Sequence, residues 1–131
     1  MANRRSGTLG SRDELVEIAR ALSDPSRVRA LAALRDGELC LCHLIGLLEL
    51  APSTVSKHVD QLRQAGLVEM ERRGKWRYFR LARREASPAA RWALGWVLAT
   101  LRDDPGVRDD AQRLAHLRGL DLEEVTTCYR G

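Results

Sequence analysis

Three cysteines carry the most distinctive chemistry in this sequence. Cys40 and Cys42 are separated by one leucine, and Cys128 lies in an acidic C-terminal segment. An odd number of cysteines, in a chain whose first residues lack the apolar stretch of a secretion signal, predicts reduced thiols in the cytoplasm rather than a disulfide framework. Thiol pairs with few imidazoles or carboxylates beside them favour soft ions. We therefore expect Cys40 and Cys42 to hold a soft metal or metalloid, with Cys128 as a candidate third ligand.

The thiol pair falls at the start of a predicted helix over Leu39–Leu48, where the helix N-terminus favours thiolate over thiol. Positions i and i+2 of a regular helix lie about 200° apart, so both sulfurs cannot reach one small ion. Binding is therefore expected to hold the first turn in a non-helical shape or to unwind it. Alternatives remain open: Cys40 and Cys42 as small buried hydrophobes, a redox-active set of thiols, and Cys128 as a bystander.

Apolar periodicity and capping residues predict the elements that position these thiols. Ser11 and Glu14 have the spacing of a capping box, and Asp24-Pro25 has the form of a helix start. Before residue 66 we expect four helices, at about residues 12–22, 25–35, 39–48 and 52–64. The last two, joined by a short turn, form a helix-turn-helix.

The periodicity then changes to two, which predicts a β-hairpin. Its strands are Leu67–Arg72 and Trp76–Leu81, with Gly74 in the turn. A helix follows from Ser87-Pro88 to about Arg102, and a shorter one is expected over Val107–Leu117. This organisation suggests a flexible arm (residues 1–10), a winged helix-turn-helix domain (residues 11–102), and a C-terminal helix with an acidic tail (residues 103–131). The fold class is mainly α with a small β-hairpin, and no apolar run is long enough to span a membrane.

The net charge of +4 is unevenly placed. Residues 52–84 hold nine basic and three acidic side chains, a surplus of +6 on the fourth helix and the hairpin. Short hydroxyls, an amide and cations on a helix of groove size, next to a cationic hairpin, predict binding to double-stranded DNA. The candidate DNA-binding residues are Ser53, Thr54, Ser56, Lys57, His58, Gln61, Arg72, Arg73, Lys75 and Arg77. His58 also borders the apolar stripe of its helix, so a structural role for it stays open.

Four stretches together resemble the ArsR/SmtB family of metal-responsive repressors, in its arsenic-sensing branch. They are Ala21–Arg27, Glu38–Leu44, Ser53–Val59 and Leu67–Tyr78, within a similarity that covers roughly residues 12–100. The resemblance implies a homodimer that represses an arsenic-resistance operon at an inverted-repeat operator. It also implies release by As(III) or Sb(III) bound to three thiolates, without an organic cofactor or catalytic residues. The implied dimer interface includes Leu15, Ile18, Leu22, Trp92 and Trp96.

The sequence departs from the family pattern at Ile45, where relatives often carry a third cysteine. The third ligand would then be Cys128 or an exogenous thiol, or the effector would be a methylated or aryl arsenical that needs only two sulfurs. A redox sensor on the same scaffold is the other alternative. The helix Pro88–Leu101 contains no histidine or acidic residue, which excludes the family's zinc site there. An enzyme is not expected, because no partner orients His43 beside a nucleophilic cysteine.

Overall fold

The computed structural model describes the backbone of residues 11–130 and the side chains of residues 11–126. Within this range the chain forms seven α-helices, a short 3-10 turn and a three-stranded sheet. The helices are α1 (Arg12–Ala21), α2 (Pro25–Ala33), α3 (Leu41–Leu48), α4 (Pro52–Gln64), α5 (Pro88–Thr100), α6 (Pro105–Arg118) and α7 (Leu122–Arg130). The strands are β1 (Leu39–Cys40), β2 (Val68–Arg73) and β3 (Trp76–Leu81). The predicted mainly helical fold with a small hairpin is confirmed, and the predicted arm at residues 1–10 lies outside the described residues.

The first two helices begin at the predicted caps. Ser11 Oγ accepts a hydrogen bond from the Glu14 N–H at 3.1 Å, and Asp24 caps α2 in the same way. The Glu14 side chain does not complete the predicted capping box. It is buried between α1 and α5, where its carboxylate accepts a hydrogen bond from the Ser87 hydroxyl. Glu14 therefore links the first helix to the cap of α5.

Helices α3 and α4 form the predicted helix-turn-helix. Glu49 closes α3 in the left-handed conformation with φ of 57°, and α4 starts at Pro52. The inward side chains of α4 are Val55, Val59 and Leu62, all fully buried as their spacing predicts. The outer face of α4 is consequently held away from the core and exposed.

The sheet has the order β1-β3-β2 and is antiparallel throughout. The hairpin of β2 and β3 has the predicted position, with Gly74 at φ of 61° in a two-residue turn. Strand β1 is not predicted by periodicity: Leu39 pairs with Phe79 and Cys40 with Tyr78. The predicted start of α3 at Leu39 is therefore wrong, because both residues are drawn into the sheet and the helix begins at Leu41.

The C-terminal segment is more ordered than an acidic tail. Helix α6 begins at Pro105, capped by Asp104, two residues before the predicted start at Val107. Helix α7 begins with a reciprocal cap in which Asp121 and Glu124 each accept from the other's backbone N–H. It packs against α3. None of the helices in the described part of the chain has the length and apolar character needed to cross a bilayer.

Candidate thiol site and DNA-binding surface

Cys40 is the N-cap of α3. Its backbone is extended, with φ of −66° and ψ of 150°, and its Sγ accepts a hydrogen bond from the Cys42 N–H at 3.4 Å. His43 completes a capping box in return, because its Nδ1 accepts from the Cys40 N–H at 3.3 Å. The end of strand β1 and the first turn of α3 thus hold Cys40 from both sides.

This geometry corrects the prediction that a regular helix separates the two sulfurs. Cys40 precedes the helix and Cys42 is its second residue, so the offset of about 200° between helical positions does not apply. The two thiols instead interact directly, and each is the largest cause of the other's shifted pKa. The two sulfurs already converge, and no unwinding of α3 is needed to bring them together.

An apolar shell surrounds the thiol pair. Cys40 is 1% exposed and Cys42 is 3% exposed, and both pack against the fully buried Val125 of α7. The partly buried side chains around this cluster are Trp76, Tyr78, Leu120 and Leu122. Residues from the sheet, from α7 and from the connection before α7 therefore exclude water from the sulfurs.

The surroundings of Cys40 and Cys42 shift the pKa values of the two thiols in opposite directions. The Cys42 thiol and the backbone N–H groups of Cys42 and His43 stabilise the Cys40 thiolate, which lowers the pKa of Cys40 to about 7 despite its burial. The pKa of Cys42 is raised, since it donates to Cys40 and is itself buried. Burial and the nearby charge of Arg118 lower the pKa of His43, which favours its neutral, hydrogen-bond-accepting form. Cys40 is therefore the nucleophilic thiol of the pair.

The donor set fits a soft, sulfur-seeking ligand. Among the described side chains no group of three His, Cys, Asp or Glu residues is arranged to hold a metal ion. The side chain of Cys128, the predicted third ligand, lies outside the described residues. In sequence it follows Val125 by three residues within α7, the spacing of about one helical turn.

The predicted DNA-reading residues of α4 are distributed between its outer face and its edge. Ser53, Thr54 and Lys57 are exposed, whereas Ser56 and Gln61 are half-buried. Ser56 Oγ accepts a hydrogen bond from Arg77 of β3 at 3.0 Å. The hairpin, which forms the wing, is therefore joined to α4 through two of the predicted residues.

His58 is built into the junction of three helices. Its Nδ1 lies 3.1 Å from a guanidinium nitrogen of Arg27, and its Nε2 lies 4.0 Å from Asp24. Arg27 also donates to the carbonyls of Arg20 and Ala21 at the end of α1. These contacts favour the structural interpretation of His58 that the sequence left open.

The wing cations differ in how far they are already paired. The Arg72 side chain is exposed and forms no hydrogen bond or ion pair with any described residue. Arg73 forms a bidentate pair with Glu38 at 2.5 and 2.9 Å, contacts Glu71, and stacks on Tyr78. Lys75 pairs with Glu123 of α7 at 2.7 Å. The partners Glu38 and Glu123 are missed by sequence reasoning, because they lie far from the hairpin along the chain.

The predicted dimer residues divide into exposed and buried sets. Leu15, Trp92 and Trp96 are 63%, 81% and 66% exposed, whereas Ile18 is 4% exposed within its own chain and Leu22 is half-buried. Val16 is also exposed. Five large apolar side chains are exposed in the described part of the chain, and Val16, Leu15 and the two tryptophans are four of them. All four lie on α1 and α5, which pack against each other. The two helices thus present an apolar surface that a single chain leaves open.

A helix-turn-helix followed by a cationic hairpin defines the class of winged helix-turn-helix DNA-binding regulators. Residues 24–70 match the model of the bacterial regulatory protein family arsR. The chain is 31% identical over 114 residues to the arsenic resistance transcriptional regulator ArsR2 of Pseudomonas putida, covering 86% of this chain and 96% of that protein. The chain belongs to the ArsR family of transcriptional regulators, which are DNA-binding proteins and not enzymes.

Two further similarities are consistent with this membership. The arsenic resistance regulator ArsR1 of Pseudomonas putida is 43% identical over 65 residues, which is 49% of this chain and about half, 51%, of that relative's length. The solution structure of a homodimeric winged helix-turn-helix DNA-binding domain from Mycobacterium bovis, a possible ArsR-family regulator, is 25% identical with a TM-score of 0.57. That match covers 78% of this chain and 90% of the Mycobacterium domain.

Proposed function

We propose that this protein represses an arsenic-resistance operon and is released from its operator when As(III) or Sb(III) binds the thiolates of Cys40, Cys42 and Cys128. The observation that carries the proposal is the convergence of the Cys40 and Cys42 sulfurs at the junction of β1 and α3. A family containing named arsenic-resistance regulators supports the choice of effector. Such a regulator would act in the cytoplasm, where its operator lies.

The chemistry of the pocket suits a trivalent metalloid. Each thiol gives up its proton, which leaves with a hydroxide of arsenous acid as water, while an As–O bond is replaced by an As–S bond. No oxidant or reductant is needed, and the product carries no net charge. A neutral adduct is compatible with the apolar shell of Val125 and Trp76, whereas an isolated charge there would be costly. The low pKa of Cys40 supplies the first attacking sulfur near neutral pH.

The position of the thiols explains how binding would reach DNA. Cys40 pairs with Tyr78 in β3, the central strand of the sheet, and Cys42 lies in the first turn of the helix that packs against α4. An adduct that shifts either cysteine changes the angle between the wing and α4. Both elements must fit DNA together, so a small change in their relative position lowers operator affinity.

A homodimer completes the proposal. An inverted-repeat operator presents two half-sites related by a two-fold axis, which matches a protein dimer of the same symmetry. The exposed apolar side chains of α1 and α5, which include Trp92 and Trp96, supply the interface. The homodimeric Mycobacterium domain has the same fold.

The test is release of a labelled inverted-repeat operator, with arsenite, a phenylarsenical, cadmium and zinc titrated separately. The wild-type protein should release the operator with arsenite. Cys40→Ser and Cys42→Ser should bind the operator with unchanged affinity and resist release. Cys128→Ser should shift the arsenite response to higher concentration. Release of either the Cys40 or the Cys42 variant at the wild-type arsenite concentration would place the sensor elsewhere.

The same titration tests whether Cys40 and Cys42 can bind the effector without Cys128. A phenylarsenical offers arsenic only two exchangeable positions, and its ring would add to the apolar shell. If the effector is an organoarsenical, the phenylarsenical releases the operator at lower concentration than arsenite, and Cys128→Ser leaves its response unchanged.

A thiol redox sensor is the second candidate, favoured by the direct interaction of the Cys42 thiol with Cys40, whose pKa it lowers. Peroxide would oxidise the Cys40 thiolate to a sulfenic acid, and attack by a second thiol would form a disulfide and expel water. Release by peroxide, reversed by dithiothreitol, in a protein that arsenite fails to release would select this function.

A further inference from the structure

Helix α7 contacts both the thiol pair and the tip of the wing. Val125, fully buried, packs against Cys40 and Cys42. Two residues earlier in the same helix, Glu123 Oε1 lies 2.7 Å from Nζ of Lys75 in the hairpin turn. The residue that covers the sulfurs and the residue that reaches the wing are therefore less than one helical turn apart.

The wing meets α7 through a continuous set of side chains. Lys75 lies 4.9 Å from the centre of the Trp76 ring, and Trp76 packs against the cluster of Cys40, Cys42 and Val125. The Lys75–Glu123 ion pair thus lies at the outer edge of the apolar shell that excludes water from the sulfurs. Displacement of α7 would remove Val125 from the thiols and separate this pair.

We propose that α7 is a strap fastened to the wing by the Lys75–Glu123 pair, and that its opening controls access to Cys40 and Cys42. This inference rests on the proposed function only in assigning the thiols as the effector site. Both charged side chains are about two-thirds exposed, at 66% and 68%, so water competes with the pair. Exposed pairs of this kind change an equilibrium by no more than about fivefold.

Alkylation of the thiols by iodoacetamide, without DNA or arsenite, measures how often the strap opens. In a Cys128→Ser background only Cys40 and Cys42 react. Glu123→Gln should increase their alkylation rate about two- to fivefold, because the open population rises when the fastening pair is removed. The matched control is Glu124→Gln, which removes the same charge one position along α7 and keeps the oxygen that accepts from the Asp121 N–H. Its rate should equal that of the background protein.

A charge exchange tests whether the pair itself fastens the strap. Lys75→Glu should raise the alkylation rate, and the double variant Lys75→Glu with Glu123→Lys should return it to the background value. Equal rates for Glu123→Gln and Glu124→Gln, or a double variant as fast as the Lys75 single variant, would overturn the proposal. The alkylation assay contains no arsenite, so its result is independent of the operator-release experiment. The strap can be refuted while arsenite release is confirmed, and arsenite release can be refuted while the strap is confirmed.

Discussion

At the scale of single residues, Cys40 is a cap, a strand residue and an acidic thiol at once. As the N-cap of α3 it receives the Cys42 N–H, and as the end of β1 it pairs with Tyr78. Its thiolate is stabilised first by the Cys42 thiol and then by backbone N–H groups in the first turn of the helix that it caps. Its reactivity is consequently a product of the local fold.

The alkylation rate of Cys40 should rise with pH around a midpoint near 7, since the thiolate is the reacting form and the pKa of Cys40 is lowered to about 7. The folded state holds this proton less tightly than the unfolded chain, so the thiolate stabilises the fold at higher pH and loses that contribution as pH falls through 7. Mass spectrometry of iodoacetamide-treated Cys128→Ser protein from about pH 5.5 to 9 measures the midpoint.

Cys42→Ala is the control for this titration, because the Cys42 thiol is the largest cause of the lowered pKa. The midpoint for Cys40 should then move up towards the ordinary thiol value of about 8.5. A Cys40 midpoint that stays near 7 in Cys42→Ala would show that the neighbouring thiol does not set its acidity.

At the scale of elements, Arg27 joins α1, α2 and α4. Its guanidinium donates to the carbonyls of Arg20 and Ala21 and contacts His58. Arg27→Ala should lower the free energy of unfolding by about 1–3 kcal/mol, because two carbonyls at the end of α1 lose a charged donor. Urea denaturation measures the change. Arg12→Ala, which removes an exposed arginine from α1, should stay within about 0.5 kcal/mol of wild type; equal losses for both variants would contradict this role.

The wing provides a second prediction at this scale. Arg72 has no partner among the described residues and is exposed, so it is the wing cation most available to a phosphate. Arg72→Ala should reduce the magnitude of the slope of log K against log salt by about 0.9 for each phosphate that the arginine neutralises. Fluorescence anisotropy of operator DNA at several salt concentrations measures the slope. Arg108→Ala on α6, whose arginine pairs with Asp103, is the control; an identical slope for both variants would remove Arg72 from the interface.

The elements also show what the sequence could and could not predict. Helices with strong local signals, such as the Asp24-Pro25 start of α2 and the apolar stripe of α4, form where predicted. Strand β1 escapes prediction because two residues have no periodicity, and their conformation depends on pairing with β3, about 40 residues away. Helix α7 escapes it because its acidic first turn, Leu122 to Glu124, suggests a solvated tail, while its burial depends on α3.

The candidate site is predictable in its residue types but not in its geometry. The spacing of Cys40 and Cys42 predicts that the two thiols act together. How their sulfurs are arranged depends on where α3 begins, and that boundary is set by the sheet. The cover provided by Val125 and the pairing of Lys75 with Glu123 depend on tertiary contacts. No local pattern encodes such contacts.

At the scale of the whole molecule, the basic surplus of residues 52–84 is partly neutralised within the chain. Arg80 pairs with Glu69 and Glu71, and Arg73 pairs with Glu38 and Glu71. A dimer doubles the formal surplus of +6 from that window to +12. The number of phosphates bound should nevertheless be smaller than this charge, since several of the cations already have carboxylate partners.

The dimer interface is predicted to depend on Trp92, which is 81% exposed in the single chain. Trp92→Glu should shift the protein towards monomer, because a charge would be buried against the partner's apolar surface, and operator affinity should fall with it. Sedimentation velocity measures the distribution. Leu50→Glu, which alters the one large exposed apolar residue off α1 and α5 in the described part of the chain, should leave the dimer intact. A Trp92→Glu protein that remains dimeric would place the interface elsewhere.

Coupling between the thiol site and the DNA-binding surface is measured most directly by comparing the arsenite affinity of the free protein with that of the operator-bound protein. If arsenite at the thiols and DNA at α4 and the wing are coupled, thermodynamic linkage requires each to weaken the other by the same factor. We predict that the operator-bound protein binds arsenite more weakly, by the factor by which saturating arsenite lowers operator affinity. Equal arsenite affinities for the free and operator-bound protein would contradict this coupling.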